Sequence, residues 1–343
     1  MKIICTEEHS VDADIAEAAR IWQLNEASYM AAWGSRVEDR PGEFHDDRPH
    51  LVSPKAAMEI ASDIGSGRIT AMDEHGIDMQ IVSYSNSPQL VPGAKAVTLA
   101  RAANDRLAET VRKNPTRFGG MATLPWQYPE AAAKELERAV RDLDLRATLL
   151  VGRPGEDFLD DTRYEPVLAK LNELKAPLYV HPGVPLPEVQ LHYYDGFDQE
   201  VSARLSMFGW GWHNEAGIQV LRLILSGKFD KYPDLRVISG HWGEMVPFYL
   251  QRLDDTIPDE ATGLSRTISQ TYKTHVYVTP SGMLNLPHFE FIHKVLGPDR
   301  ILYAVDYPYL TLTGARCFLE NLPISQEDKE KIAHINAESL FRL

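Results

Sequence analysis

The stretch Ile3-Ile4-Cys5-Thr6-Glu7-Glu8-His9 opens the chain with a short apolar run that leads directly into a carboxylate and an imidazole. Alternate side chains of a β-strand point to the same face, so Glu7 and His9 project together if this segment is a strand. Carboxylate oxygen and imidazole nitrogen are common ligands of divalent ions. A Glu-x-His pair is more often an accident of spacing than a ligand pair, so its meaning depends on the remaining strands.

Further apolar segments follow this one, and helical patterns separate most of them. Alternating strands and helices predict a parallel sheet with right-handed crossovers. Eight strands favour closure into a (β/α)8 TIM barrel, an α/β fold, over an open doubly wound sheet. No G-x-G-x-x-G motif follows the first strand, so a dinucleotide site is not indicated. The later predicted strands are 79–84, 118–124, 146–151, 177–181, 235–239, 275–278 and 301–306.

Two long segments lack a clear period and are expected to be irregular insertions in a single barrel domain that spans residues 1–343. They are residues 11–52, after strand 1, and residues 184–212, after strand 5. Segments of this length inside a compact domain are usually functional or mobile. Strong helical patterns include 53–74 and 94–113.

The composition is 44% hydrophobic and 24% charged, as is typical of a soluble globular protein. The formal net charge of −14 disfavours a nucleic acid or an anionic membrane as partner, because phosphate binding relies on clustered Lys and Arg. Cys5 and Cys317 are the only cysteines, and neither a signal peptide nor a membrane-spanning apolar run is recognisable. A reduced cytoplasmic setting is therefore expected.

Polar side chains follow several predicted strands at the point where each strand ends. Strand 5 ends at His181, strand 6 runs into His241, and strand 8 ends at Asp306. Catalytic groups of such barrels lie at the carboxyl ends of the strands, and strand 8 of a closed barrel lies beside strand 1. A mixed nitrogen and oxygen set suits one divalent ion, Zn²⁺ or Mn²⁺. The predicted ligands are Glu7, His9, His181 and Asp306.

The motif Gly240-His241-Trp242-Gly243-Glu244 suits proton transfer, because a carboxylate fixes the tautomer of a histidine and raises its basicity. The alternative is a helix start at which Glu244 only complements the helix dipole.

Arg252 either folds back as an anion clamp or pairs with surface carboxylates. The aromatic residues at 208–212 either pack in the core or form a wall over a flat substrate. By default, surface or structural roles are assigned to His213, His275, His288 and His293.

These residues also carry a family pattern. The chain resembles the amidohydrolase-related metal-dependent decarboxylases, which include γ-resorcylate, 2,3-dihydroxybenzoate, 5-carboxyvanillate and aminocarboxymuconate semialdehyde decarboxylases. The matching segments run in the expected order over nearly the whole chain. Among them are Glu7-x-His9, Ala103-Asn104-Asp105, Leu178-Tyr179-Val180-His181-Pro182-Gly183, Gly240-His241-Trp242-Gly243-Glu244 and Asp306-Tyr307-Pro308.

The resemblance implies a role for each matching residue. Glu7 stands where hydrolytic relatives typically have histidine, which favours the decarboxylase branch. Tyr309-Leu310 replaces a frequent Phe-Glu, and the Trp210-Gly211-Trp212 stretch is distinctive, so both segments bear on the ring pocket. The implied metal ligands are Glu7, His9, His181 and Asp306; the implied catalytic residues are Asp306, His241 and Glu244; the candidate substrate contacts are Arg252, Trp210, Trp212 and Tyr309.

The activity that the resemblance implies is nonoxidative decarboxylation of an aromatic carboxylic acid with an ortho-hydroxyl group, such as a dihydroxybenzoate. It also implies one divalent ion per chain and a homodimer or homotetramer. Two alternatives use the same ligands. One is a metal-dependent hydrolase of a lactone or amide, and the other is a metal-binding barrel without catalytic activity.

Overall fold

A parallel sheet lies at the centre of the computed structural model, which describes residues 1–36 and 47–343. Its seven strands are hydrogen-bonded in chain order, and every neighbouring pair is parallel. The strands are β1 (Ile4–Ser10), β2 (Met79–Tyr84), β3 (Phe118–Ala122), β4 (Ala147–Val151), β5 (Leu178–His181), β6 (Val237–Ser239) and β7 (Val276–Val278).

The segment 301–306 joins the two edges of this sheet. Ile301 bridges to β7 and Tyr303 bridges to β1, both in the parallel sense. The amide of Asp306 donates to the carbonyl of Glu7 at 3.1 Å. The predicted barrel is therefore confirmed, but its eighth strand consists of single bridges instead of a regular ladder. Asp306 has a φ of 68°, in the left-handed region that strands do not use.

Helices surround the sheet, and most of them lie between successive strands. Their bounds are α1 (Ala13–Glu26), α2 (Pro54–Ala61), α3 (Ser66–His75), α4 (Lys95–Lys113), α5 (Pro129–Arg141), α6 (Glu165–Leu174), α7 (Pro187–Tyr193), α8 (Gln199–Ser206), α9 (Gly211–Leu225), α10 (Lys228–Lys231), α11 (His241–Glu244), α12 (Val246–Thr256), α13 (Asp259–Thr262), α14 (Ile268–His275), α15 (Leu286–Leu296), α16 (Ala315–Glu320), α17 (Gln326–Glu330) and α18 (Asn336–Phe341).

The segments expected to be irregular contain regular helices. Residues 11–52 include α1, which Asp12 caps by accepting the amide of Ile15 at 3.0 Å. Exposed Ile21 and Trp22 interrupt the apolar stripe of α1, so periodicity does not reveal this helix. Residues 37–46 of the same insertion lie outside the described residues. The second insertion contains α7, α8 and the start of α9.

The single helix predicted for 53–74 is two helices, α2 and α3. The break lies at residues 62–65, where Gly65 precedes α3 with a non-helical backbone. Gly76 ends α3 and caps it in the left-handed conformation, with a φ of 66°.

A separate apolar cluster fills the inside of the barrel. Met79 and Ala147, which begin their strands, pack there with Phe341 of α18. The carboxyl-terminal helix therefore covers the amino-terminal end of the barrel and leaves the carboxyl ends of the strands to polar groups. No helix within residues 1–36 and 47–343 combines the length and apolar character needed to cross a membrane.

Candidate active site

Four polar side chains from β1, β5 and the closing segment meet at the carboxyl end of the barrel. Each offers one ligand atom, and these atoms all lie within 4.8 Å of one another. Nε2 of His9 lies 3.1 Å from Oδ1 of Asp306, and Nε2 of His181 lies 3.7 Å from Oε1 of Glu7. The structure thus brings together the whole set predicted from the strand ends: Glu7, His9, His181 and Asp306.

Three atoms of this cluster fit a bound cation. Oε1 of Glu7, Nε2 of His9 and Oδ1 of Asp306 are buried and have no hydrogen-bond partner in the described part of the chain. Burying polar atoms without partners is costly, so a group that all of them face is expected. Carboxylate and imidazole together suit a divalent ion such as Zn²⁺ or Mn²⁺.

The remaining atoms of these ligands are oriented by neighbours. Oε2 of Glu7 accepts hydrogen bonds from the hydroxyls of Ser281 and Thr279, the latter at 3.2 Å. Nδ1 of His9 lies 3.2 Å from the hydroxyl of Ser83. Such partners hold ligands in place and tune their basicity.

His181 presents a free lone pair to the cluster. Its Nδ1 lies 2.7 Å from the carbonyl of Pro182, which can only accept, so the hydrogen is on Nδ1. Burial, together with the neighbouring His9 ring, lowers the pKa of His181 to about 3. The neutral ring therefore directs an unprotonated Nε2 at Glu7, as a metal ligand requires.

Glu8 fixes the backbone that presents Asp306. It lies between the two ligands of β1, and its carboxyl group accepts the amides of Val305 at 3.0 Å and Tyr307 at 3.1 Å. These residues flank Asp306 on both sides. A left-handed backbone costs a non-glycine residue roughly 1–2 kcal/mol, so Asp306 depends on such contacts to keep its conformation.

Replacing Glu8 with alanine is expected to destabilise the protein, because the two buried amides lose their acceptor. Unsatisfied buried groups cost about 1–3 kcal/mol each, so the free energy of unfolding should fall by about 3 kcal/mol. Chemical denaturation of metal-free protein measures this change. Glu8→Gln is the matched control, since it keeps the volume and one acceptor, and it should fall between the two. Equal stability of wild type and Glu8→Ala would contradict the assigned role.

The turn α11 carries the predicted proton-transfer pair on a strained backbone. Residues 241–245 all have positive φ values, from 45° to 86°. Outside contacts hold the turn. The indole of Trp242 donates to the carbonyl of Met283 at 2.8 Å, and the amide of His241 donates to the hydroxyl of Ser281 at 2.9 Å. Strain of this kind persists only where the surroundings over-determine it.

Within this turn, Nδ1 of His241 lies 2.7 Å from Oε1 of Glu244, and Nε2 lies 3.9 Å from Oδ2 of Asp306. Burial acts to lower the pKa of His241, but the Glu244 and Asp306 carboxylates outweigh it and raise that pKa well above the usual value. Burial acts to raise the pKa of Asp306, yet the neighbouring rings of His241 and His9 outweigh burial and lower it. Both shifts favour a protonated His241 facing an ionised Asp306.

His213, assigned a surface or structural role by default, lies in this site. Its Nδ1 is 2.9 Å from Oε2 of Glu244, and its ring centroid is 4.3 Å from that of His241. The indole of Trp212 donates to its Nε2 at 3.0 Å. His213 belongs to α9 and does not follow a strand. The search for polar residues at strand ends therefore could not identify it.

The four proposed substrate contacts fall into two groups. The ring of Trp212 lies 6.3 Å from that of His181, and the ring of Tyr309 lies 5.6 Å from that of His9. The other two side chains are exposed, Trp210 at 49% and Arg252 on α12. Within the described residues, the structure brings Trp212 and Tyr309 to the ligand cluster and leaves Trp210 and Arg252 at the surface.

Comparison with known proteins agrees with this geometry. The family described as Amidohydrolase matches residues 32–343. A γ-resorcylate decarboxylase from Polaromonas sp. is 37% identical over 315 residues, which cover 87% of this chain and 94% of that protein.

Solved structures of decarboxylases share the fold over the whole chain. The 5-carboxyvanillate decarboxylase of Sphingomonas paucimobilis has a TM-score of 0.86 at 30% identity, covering 100% of this chain and 99% of that one. A dihydroxybenzoic acid decarboxylase from Polaromonas sp., solved with manganese and the inhibitor 2-nitroresorcinol, has a TM-score of 0.82 at 32% identity, covering 100% and 97%. The chain therefore belongs to the amidohydrolase-related metal-dependent decarboxylases.

Proposed function

We propose that this protein catalyses the metal-dependent, nonoxidative decarboxylation of a hydroxyaromatic carboxylic acid such as a dihydroxybenzoate. It is a carbon–carbon lyase of the carboxy-lyase class. The observation that carries this proposal is the position of Asp306, which belongs to the ligand cluster and also faces the proton-bearing ring of His241. The names of the related enzymes, which act on such acids, support the substrate class.

The cofactor we propose is one divalent ion per chain, either Zn²⁺ or Mn²⁺. A divalent ion in this cluster supplies positive charge that offsets the anionic carboxylate and hydroxyl oxygens of the substrate. The manganese in a related structure is consistent with the mixed ligand set. The residues that would hold the ion are Glu7, His9, His181 and Asp306.

The chemical difficulty is that loss of CO₂ from an aryl carbon would leave an aryl anion. Protonation of that carbon first avoids the anion, and CO₂ then leaves as the ring regains aromaticity. We assign delivery of the proton to Asp306 and its storage to His241, whose Nε2 lies 3.9 Å from Oδ2 of Asp306. Glu244 stabilises the protonated His241 through the 2.7 Å contact with Nδ1. One proton is consumed in each turnover, and it remains on the ring carbon of the product.

Trp212 and Tyr309 are proposed to flank the substrate ring beside His181 and His9. The hydroxyl of Tyr309 lies 2.5 Å from that of Ser85, so this side of the proposed ring pocket carries a hydroxyl group that a phenylalanine would lack. Flat aromatic walls suit a planar ligand. The proposed role of Arg252 as a substrate contact rests on the family resemblance, and that of Trp210 rests on the aromatic segment 208–212 that follows strand 5.

We also propose that the protein is a cytoplasmic homodimer or homotetramer in which residues 1–343 form one barrel domain. An aromatic cluster near α12 supports self-association. Phe248, Tyr249 and Phe291 are 69%, 53% and 38% exposed. The ring centroid of Phe248 lies 5.4 Å from that of Tyr249 and 5.7 Å from that of Phe291. Exposed apolar patches often mark protein–protein contacts. Both cysteines are free thiols, which fits a reducing compartment.

A substrate panel tests the proposed reaction. Protein loaded with Mn²⁺ or Zn²⁺ should release CO₂ from at least one hydroxybenzoate and yield the matching phenol, whereas lactones and amides should not be hydrolysed. Chromatography of the ring products together with CO₂ detection measures both outcomes. Protein from which a chelator has removed the ion is the control and should be inactive. Turnover of lactones or amides alone would replace the lyase proposal with a hydrolase.

A further inference from the structure

We infer that His213 is a positioning residue that holds the Glu244–His241 pair in its working arrangement. The expected effect of His213 on catalysis rests on the proposed function, because the reaction concerned is the proposed decarboxylation. The contacts that carry the inference belong to the fold itself. Hydrogen bonds join Trp212 to His213, His213 to Glu244, and Glu244 to His241. Nε2 of His241 then lies 3.9 Å from Oδ2 of Asp306 in the ligand cluster.

The carboxylate of Glu244 sets the direction of this chain of hydrogen bonds, because it can only accept a hydrogen bond. The hydrogen of His213 is therefore on Nδ1, which donates to Oε2 of Glu244 at 2.9 Å. In a neutral His213, Nε2 carries no hydrogen and accepts the indole N–H of Trp212 at 3.0 Å. If His213 is protonated, Nε2–H has its own acceptor in the carbonyl of Phe208, 2.8 Å away. The donor to Glu244 is therefore present in both protonation states.

Both oxygens of Glu244 are engaged, one with each histidine. Its side chain is completely buried, so no solvent can replace a lost partner. Burial acts to raise the pKa of Glu244, but its contacts with His241 and His213 outweigh burial and lower that pKa. Without His213, Oε2 of Glu244 would be a buried acceptor that receives no hydrogen bond. The carboxylate would then rotate away from its 2.7 Å contact with His241.

The His213 ring also packs against its neighbour. Its centroid lies 4.3 Å from that of His241, with the ring planes 65° apart. Because residues 241–245 are strained, the orientation of His241 depends on such outside contacts. His213 thereby fixes the ring that faces Asp306 and ties it to the indole that lies beside His181.

Two substitutions separate this role from general packing. Leucine fills part of the space of His213 but has no donor. Asparagine is smaller than leucine, yet its amide nitrogen can occupy the place of Nδ1 and donate to Glu244. If His213 acts only by packing, leucine should be the better replacement. If it acts by positioning Glu244, asparagine should be.

The kinetic test compares both variants with wild type and with His192→Leu, an exposed histidine of α7 that lies outside the proton-transfer pair. Loss of a group that orients an active-site residue typically costs about 10–100-fold, so kcat of His213→Leu should fall by that factor while KM and the metal content stay nearly unchanged. His213→Asn should recover most of the loss, and His192→Leu should match wild type. Equal kcat for wild type and His213→Leu would overturn the inference, and so would a better recovery with leucine than with asparagine.

A structural readout keeps this test independent of the proposed reaction. In a crystal structure of His213→Leu, Oε1 of Glu244 should have left hydrogen-bonding distance of Nδ1 of His241, whereas His213→Asn should keep that contact. An unchanged Glu244 in the leucine variant would overturn the inference. Absence of decarboxylation by wild type would overturn the proposed function instead, and the two crystal structures would still decide the role of His213.

Discussion

Replacing His181 with alanine is expected to remove most of the bound divalent ion together with the activity. His181 contributes an unprotonated Nε2 to the ligand cluster, and its pKa of about 3 keeps the ring neutral at ordinary pH. A zinc site of four ligands has a binding free energy of about 10–16 kcal/mol, so loss of one ligand should weaken metal binding by roughly a hundredfold or more. Metal analysis of dialysed protein and assay of CO₂ release measure the two effects.

The matched control for this variant is His275→Ala. His275 is also buried, but it ends α14 directly before β7, at the opposite end of the strand from the ligand cluster. It hydrogen-bonds to the carbonyl of Leu235. This variant should lose some stability and keep its metal. Full metal retention in His181→Ala would contradict the ligand assignment, and equal metal loss in both variants would point to unfolding instead of a lost ligand.

Replacing His241 with asparagine is expected to abolish most of the activity and to leave the metal in place. Asparagine keeps a donor for Glu244 but lacks the Nε2 that faces Asp306 at 3.9 Å. A positioned acid or base contributes about 10²–10⁴-fold to a rate, so kcat should fall by that factor. Steady-state kinetics and metal analysis on the same preparation measure both quantities.

A second variant, at Glu244, complements His241→Asn. Glu244→Gln is the companion to His241→Asn, because it weakens the electrostatic support of His241 without removing the ring, and its activity should fall between wild type and His241→Asn. Activity of His241→Asn within about tenfold of wild type would contradict the assignment of His241 as the proton store. Metal loss from this variant would mean that His241 helps to bind the ion.

The ligand cluster illustrates what could be read from the residue order. Glu7 and His9 lie on β1, His181 ends β5, and Asp306 ends the segment that closes the barrel. Closure of the barrel brings these positions together regardless of side-chain packing. A period of two and a parallel topology were sufficient, because both follow from backbone geometry. The eighth strand was the exception, since the left-handed Asp306 interrupts its ladder.

Positions on helices and loops were harder to assign. Arg252 was left open between an anion clamp and a surface ion pair, whereas His213 was assigned a surface or structural role by default. The structure places Arg252 at the surface and His213 beside Glu244. The rotation of α9 and α12 decides this outcome. That rotation depends on packing against the rest of the molecule, which no local pattern encodes. Trp210 and Trp212 differ in the same way, although they are two residues apart.

The order of residues alone predicted the barrel and the four residues of the ligand cluster, because hydrophobic periodicity and strand ends are local properties and the barrel topology brings the strand ends together. Only the tertiary structure decided that His213 meets Glu244, that residues 241–245 form a left-handed turn, and that Glu8 holds the backbone around Asp306. Each of these contacts joins segments far apart in the chain or depends on a backbone conformation that is unfavourable on its own. Their geometry therefore exists only after the surrounding core has packed.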